Sequence, residues 1–259
     1  MTQSKHLEIH LRSGVTFPDW SVVTSEKVRA SLNDTLGHLR MTKRWGHMSD
    51  IEEAARRAIL NLYVKLGRAP SYGDISDDLD IPLSRLMNVL TALQERDLIV
   101  LSQSDQVVEI SYPFTDRKTE HQVLFGDVML NAMCAIDALG VGAMINRDTT
   151  VLSKCRHCGC DIIIETSAAG RTVASTSPET SVVWSGVQDI GGCAADTQCS
   201  VMAYFCSDNH LNIWREEARV EQNGHRLTME QGLEAGAAVF IPFLATGKAA
   251  AEQLNQKGI

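Results

Sequence analysis

The stretch Ser49-Asp50-Ile51-Glu52-Glu53-Ala54-Ala55-Arg56-Arg57-Ala58-Ile59-Leu60 opens the most regular part of this 259-residue chain. Ser49 is an N-cap by residue type. Glu52, three residues on, completes a capping box, in which cap and glutamate each satisfy a backbone N–H of the other. The helix continues to Leu66, and Gly67 ends it, as a glycine just past the last turn commonly does. A short helix over about Tyr72 to Leu79 follows Pro70. Another runs from Pro82 to Arg96, with Leu83, Leu86, Val89, Leu90 and Leu93 at helical spacing. Two alternating segments, Leu98–Leu101 and Val107–Ile110, are joined by Ser102-Gln103-Ser104-Asp105. Three helices and then a β-hairpin is the order of a winged helix-turn-helix, here over residues 49–112.

Outward from that module, residues 1–48 read as a partly helical extension, with one helix from Ser25 to Leu39 that puts Leu32 and Leu36 on one face. Residues 113–120 are polar and read as a connector. The remainder, 121–259, mixes element types. Asp127–Ile145 reads as a buried helix, Asp161–Glu165 and Ser200–Phe205 as strands, and a late helix starts near Thr228 with Gln231 closing its capping box. No βαβ rhythm is present, so the fold class is α+β: a winged-helix-like helical domain followed by an α+β domain.

Composition narrows the function classes. Apolar residues make up 44% and charged residues 22%, and the net charge is −8. An acidic chain is repelled by phosphate backbones unless it carries a local basic patch. The expected recognition helix, Pro82–Arg96, offers only Arg85 and Arg96, and the helix before it is followed and lined by Asp74, Asp77, Asp78 and Asp80. Groove docking needs the opposite charge. The module is therefore expected to pack or cover an enzyme rather than read DNA, and no nucleic-acid partner is expected. Neither an apolar leader nor a membrane-spanning run is seen, so a cytoplasmic location with no membrane partner is expected.

All seven cysteines, Cys134, Cys155, Cys158, Cys160, Cys193, Cys199 and Cys206, lie in the second half. An odd, clustered set in a reducing compartment reads as metal ligands or catalytic thiols rather than disulfides. Cys206, in the apolar run Val201–Cys206, reads as a small core hydrophobe. In Cys134-Ala135-Ile136-Asp137, a helix would put thiol and carboxyl on one face. An aspartate in so apolar a run points to solvent, has a partner, or holds a proton at a raised pKa. Cys155-Arg156-His157-Cys158-Gly159 looks like half of a zinc knuckle, which makes Cys155 and Cys158 candidates for an accessory metal. Cys193 with Cys199, or His157 with Cys160, are the candidates to complete it, but neither pair has the usual spacing. Cys199, at the start of an apolar strand, either faces a pocket or fills the core.

Taken in order, these segments resemble the bacterial organomercurial (alkylmercury) lyase family, over about residues 50–245. The family's first active-site motif, Cys-Ala-Leu-Asp, is matched by Cys134-Ala135-Ile136-Asp137. Its second active-site cysteine, before an aromatic strand ending in Phe-x-Ser, is matched by Cys199 to Ser207. Its Ser-x-Cys turn is matched by Ser153-Lys154-Cys155, and its late Glu-x-x-x-x-Gly helix loosely by Glu230–Gly236. Met133 stands where the family often has an aromatic residue, and Cys158, Cys160 and Cys193 are additional.

The resemblance implies a lyase-like catalytic domain over residues 121–259 that splits organomercurials into hydrocarbon and Hg(II). Cys134 and Cys199 would bind mercury as thiolates, the preferred ligands of soft metals. Asp137 would move a proton to the departing carbon. No organic cofactor is implied. Low-molecular-weight thiols and mercuric reductase, as the acceptor of Hg(II), are the implied partners. The competing readings are a metal-sensing winged-helix regulator and a zinc-binding protein without catalysis.

Overall fold

A computed structural model describes residues 7–46, 48–188, 192–217 and 223–246. The described residues open with a hairpin, β1 (Ile9–Arg12) and β2 (Val15–Phe17), and then form helices α1 (Glu26–His38) and α2 (Met41–Trp45). Helices α3 (Asp50–Leu66), α4 (Tyr72–Leu79) and α5 (Leu83–Glu95) follow, then strands β3 (Ile99–Leu101) and β4 (Val108–Ser111). The Ser49–Glu52 capping box forms as read, and Gly67 closes α3 in the left-handed region at φ 65°. Val28, Leu32 and Leu36 form the buried face of α1.

Strands β5 (Phe114–Thr115), β6 (Gln122–Phe125) and β7 (Val128–Ala132) lead into helix α6 (Ala135–Ile145). Strands β8 (Thr150–Lys154), β9 (Asp161–Ser167), β10 (Thr172–Ser177) and β11 (Val182–Gly186) come next, then β12 (Met202–Phe205), α7 (Asp208–Glu217), β13 (Gly224–Leu227) and α8 (Met229–Leu244). The fold mixes helix and sheet, as expected. The hairpin β3–β4 does not stand apart: β5 joins it to β7, giving one antiparallel eight-stranded sheet in the order β10-β9-β8-β6-β7-β5-β4-β3. A second sheet has the order β12-β11-β13. No helix among the described residues is long and apolar enough to cross a membrane.

Two sequence expectations are corrected. Residues 127–145 are not one helix: 128–132 pair with β6, and the helix begins only at Ala135. The sequence shows why. Gly126 turns the chain at φ 58°, and the residues after it alternate, with Met129 exposed and Leu130 and Ala132 buried. That is the period of a half-buried strand, merged at its end with an apolar helix. The connector 113–120 likewise contributes Phe114–Thr115 to the sheet.

Helices α6 and α8 form the centre of the molecule. They meet through glycines: a Cβ on Gly140 would lie 2.8 Å from the Gly236 carbonyl oxygen, and one on Gly236 would lie 2.8 Å from that of Ile136. Side chains there would force the helices apart. Pro242 interrupts α8 and cannot donate to the Ala238 carbonyl. The Asp19 N–H takes that place at 2.8 Å. Glu234 of α8 accepts from the backbone N–H groups of Thr24 and Ser25, at 2.6 and 2.8 Å. The N-terminal extension is thereby fastened to α8, with α1 lying against β11 through the Ser31–Ser185 hydroxyl pair at 2.9 Å.

Candidate active site

Cys134 occupies the joint between β7 and α6. It is the N-cap of the helix, extended at φ −150°, ψ 179°, and its sulfur accepts the Asp137 N–H at 3.4 Å. The sequence expectation of two residues on one helical face is thus corrected to cap and third helical residue. The change has chemical weight, because unpaired N–H groups and the positive end of the helix dipole favour a thiolate at a cap. The Tyr204 hydroxyl donates to the Ala135 carbonyl at 2.7 Å and anchors the first turn.

Cys199 arrives from a different element. The expected strand from Ser200 begins two residues later, because Cys199–Val201 form a 3-10 turn ahead of β12. The Cys199 N–H donates to the Ala194 carbonyl at 2.9 Å. Buried Gln198 donates its amide to the Gly186 carbonyl at 2.6 Å and accepts from the Gln188 N–H at 3.3 Å, tying the turn to the end of β11.

The sulfurs of Cys134 and Cys199 and a carboxylate oxygen of Asp137 all lie within 4.8 Å of one another, and all three residues are buried. The Cys199 thiol donates to Oδ2 of Asp137 at 3.8 Å, and the Cys134 thiol to the Met202 thioether at 3.6 Å. Burial pushes the Asp137 carboxyl up to about 7. Of the three fates open to this aspartate, it has both a partner and a raised pKa. Burial also raises the Cys134 thiol, and the neighbouring Cys134 thiol together with burial holds Cys199 well above the ordinary thiol range. At rest the site is therefore close to neutral and holds protons on sulfur.

The three side chains open into a cavity of about 100 Å³. Its far wall is apolar, with Leu32 and Leu36 of α1, Trp45 of α2, and Phe240 and Phe243 of α8. Sequence reasoning missed this wall, because amphipathic helices of an N-terminal extension do not announce what they cover. It missed a polar part of the lining as well. Asp97, at φ 55° in the turn between α5 and β3, pairs with Arg44 at 2.6 Å. It also accepts from the Cys193 thiol at 3.1 Å and the Ala194 N–H at 2.9 Å, fastening the start of the loop that carries Cys199. Gly191, two residues before Cys193, lies outside the described residues. Met133 is partly buried against the core.

The Cys155–Cys158 pair lies elsewhere. Neither expected partner pair joins it; Cys206 and His210 do. Cys206 is buried, but its sulfur faces Nδ1 of His210 at 3.0 Å, so it is not simply a core hydrophobe.

Residues 114–241 match the family model described as MerB, alkylmercury lyase. No curated protein matches the chain. Among solved structures it is similar to the one titled "Crystal structure of the mercury-bound form of MerB2", with a TM-score of 0.68 and 24% identity, covering 82% of this chain and 99% of that one.

Proposed function

The chain belongs to the alkylmercury lyase family through residues 114–241, and for the carbon–mercury bond cleavage of that family we propose that Cys134, Asp137 and Cys199 are the reacting groups. The observation that carries this is the convergence of two soft sulfurs and one proton-holding carboxyl within 4.8 Å at the floor of an apolar cavity.

The chemistry follows from charge. A cationic R–Hg⁺ replaces the proton of one thiol, which leaves to solvent, and forms a neutral, linear thiolate adduct that a buried apolar site tolerates. Asp137, in its ionised form, takes the proton of the second thiol. That thiol becomes a thiolate and adds to mercury, which pushes electron density towards the Hg–C bond. The protonated Asp137 then delivers its proton to carbon. The Hg–C bond breaks, the hydrocarbon leaves, and Hg(II) stays on two thiolates. A carboxyl that ionises near 7 suits both the acceptance and the donation. The apolar wall holds the organic group beside the carboxyl.

The helical module 49–112 serves this site as a wall rather than as a DNA reader, although its element order is that of a winged helix. Arg96 turns inward to the carbonyls of Arg44 and Gly46, at 3.1 and 2.7 Å. Buried Arg56 stacks on Trp45 and Phe243, each at 4.8 Å, beside the cavity. The regulator reading therefore loses one of the two arginines of its expected recognition helix. The site works on reduced thiols, which fits the cytoplasm. Two thiolates hold Hg(II) until soluble thiols or mercuric reductase remove it. The catalytic unit is 121–259, completed by the wall from 1–48.

Incubation with phenylmercury and excess thiol tests the reading. Benzene should appear in proportion to enzyme, and Hg(II) should remain protein-bound until thiol extracts it. A folded chain that binds phenylmercury but never releases benzene would refute the assignment.

A further inference from the structure

The cluster Cys155, Cys158, Cys206 and His210 is not used by the reaction. Its four ligand atoms lie within 4.8 Å of one another. Cys158 and Cys206 sulfurs are 3.8 Å apart, Cys155 sulfur is 3.7 Å from Nδ1 of His210, and Cys206 sulfur is 3.0 Å from the same nitrogen. A tetrahedral zinc ion with ordinary Zn–S and Zn–N bonds requires sulfur–sulfur edges of about 3.8 Å and sulfur–nitrogen edges of about 3.6 Å. Two of these three edges already have those lengths, and the third needs a shift of a few tenths of an ångström.

The backbone is arranged to present the ligands. In the turn 155–160, the Gly159 N–H donates to the Cys155 carbonyl and the Cys155 N–H to the Cys160 carbonyl, both at 2.8 Å. Gly159 sits at φ 73°, where a side chain would be strained. Cys206 and His210 are one helical turn apart at the start of α7, whose His210 N–H donates to the Ser207 hydroxyl at 3.2 Å. The two halves meet where the Arg156 N–H donates to the Tyr204 carbonyl at 3.0 Å. Among the described residues, three sulfurs and one imidazole make a complete set of four, which suits a structural ion rather than a catalytic one, and the Cys160 thiol, close to those of Cys158 and Cys206, stays outside it. Thiolate-rich tetrahedral sites favour zinc among the common divalent ions.

We propose that Cys155, Cys158, Cys206 and His210 form a structural Cys₃His zinc site that clamps the 155–160 turn to the junction of β12 and α7. Binding releases the thiol protons to solvent and leaves three thiolates and a neutral imidazole on the ion. β12 runs from the clamp at Cys206 back to Met202, beside Cys134. The clamp therefore steadies the strand that leads from Cys199, without entering the reaction. The inference stands apart from the proposed function.

The test is metal analysis of the full chain purified without chelator, followed by cobalt substitution. About one zinc per chain is expected in the native protein, in Cys160→Ser and in the double variant Cys134→Ser/Cys199→Ser. Cys206→Ser and His210→Ala should each lose most of it. The cobalt form should show thiolate-to-metal charge transfer in the near ultraviolet and intense tetrahedral bands in the red. Stripping the metal should lower the melting temperature of the native chain. A native chain that holds no zinc, a weak octahedral cobalt spectrum, or loss of the ion in the Cys134/Cys199 double variant would each overturn the proposal. The native chain and that double variant decide the matter even if Cys206→Ser fails to fold.

Discussion

The thiol of Cys199 points at the Asp137 carboxylate over 3.8 Å, while the N–H of the same aspartate donates to the Cys134 sulfur over 3.4 Å. Asp137 thus touches both sulfurs, one with its side chain and the other with its main chain. Replacing the side chain leaves the main-chain contact in place, so proton transfer and thiol placement are separable here. Asp137→Asn should bind a stoichiometric mercurial through its thiols but release hydrocarbon about 10²–10⁴-fold more slowly in a single turnover, the usual worth of general acid–base catalysis. Retention of most of that rate would reduce Asp137 to a brace.

Cys134→Ser and Cys199→Ser should each bring cleavage down to the background of the thiol buffer. A hydroxyl neither binds mercury as a soft ligand nor ionises in this range. The two variants should differ in stability. Serine is a favoured N-cap, and position 134 caps α6, so Cys134→Ser should melt at or above the native temperature. Normal folding with no hydrocarbon release is the expected pair of readings, by thermal melt and gas chromatography. Substantial turnover by either variant would remove that cysteine from the mechanism.

The pH profile of kcat/KM should rise with an apparent pKa of about 7, since the ionised carboxylate must receive the thiol proton. No fall is expected just above neutrality, because burial for Cys134, and the Cys134 thiol together with burial for Cys199, keep both thiols protonated past their ordinary range. A bell centred below neutrality would mean that the carboxyl enters the reaction protonated.

Gly140→Ala probes how the site is held from behind. Its new methyl would lie 2.3 Å from Cδ2 of Phe240 and 2.8 Å from the Gly236 carbonyl. The backbone contact cannot yield by a rotamer change, so α6 must move against α8. Overpacking of this sort typically costs about 1–3 kcal/mol, readable as a lower urea midpoint. The turnover rate should fall too, because α6 carries Asp137 and is capped by Cys134. An unchanged midpoint would show that the helices slide freely.

Local signals in the sequence transferred well to the structure, and merged or distant ones did not. Ser49 with Glu52 and Thr228 with Gln231 form capping boxes, because a box needs only residues three apart. Cys134 and Asp137 were legible as a pair for the same reason. Their actual relation of cap to helix was hidden, because apolar β7 runs into apolar α6 with no polar break. Cys199 was found by resemblance and not by spacing, since 62 residues separate it from Asp137. The partners of Cys155 and Cys158 were missed because only the fold brings Cys206 and His210 to them. Leu32, Leu36 and Trp45 carried no sign that their apolar faces would line the cavity rather than a plain core.

The raised pKa of Asp137 also has a cost in stability, and the cost has a definite sign. The carboxyl ionises at about 7 in the folded chain, against 3.8 when unperturbed. Below about pH 4 both folded and unfolded states hold the proton, and the group makes no difference. Between about pH 4 and 7 the unfolded chain releases the proton while the folded chain keeps it. The folded state then binds more protons, so stability falls as pH rises. Above about 7 both states are ionised and the penalty levels off. At 1.36 kcal/mol per unit it amounts to up to about 4 kcal/mol. Asparagine has no proton to lose and escapes the penalty. The melting temperature of Asp137→Asn minus that of the native chain should therefore grow from pH 4 to pH 7 and then stay level. A chain of this size moves about 2–4 °C per kcal/mol, so the gain should reach several degrees. Titrations common to the two chains cancel in the difference. A difference independent of pH would mean that the folded carboxyl ionises as an ordinary surface aspartate does. It could not then serve as the proton store that the reaction requires, however well its geometry fits.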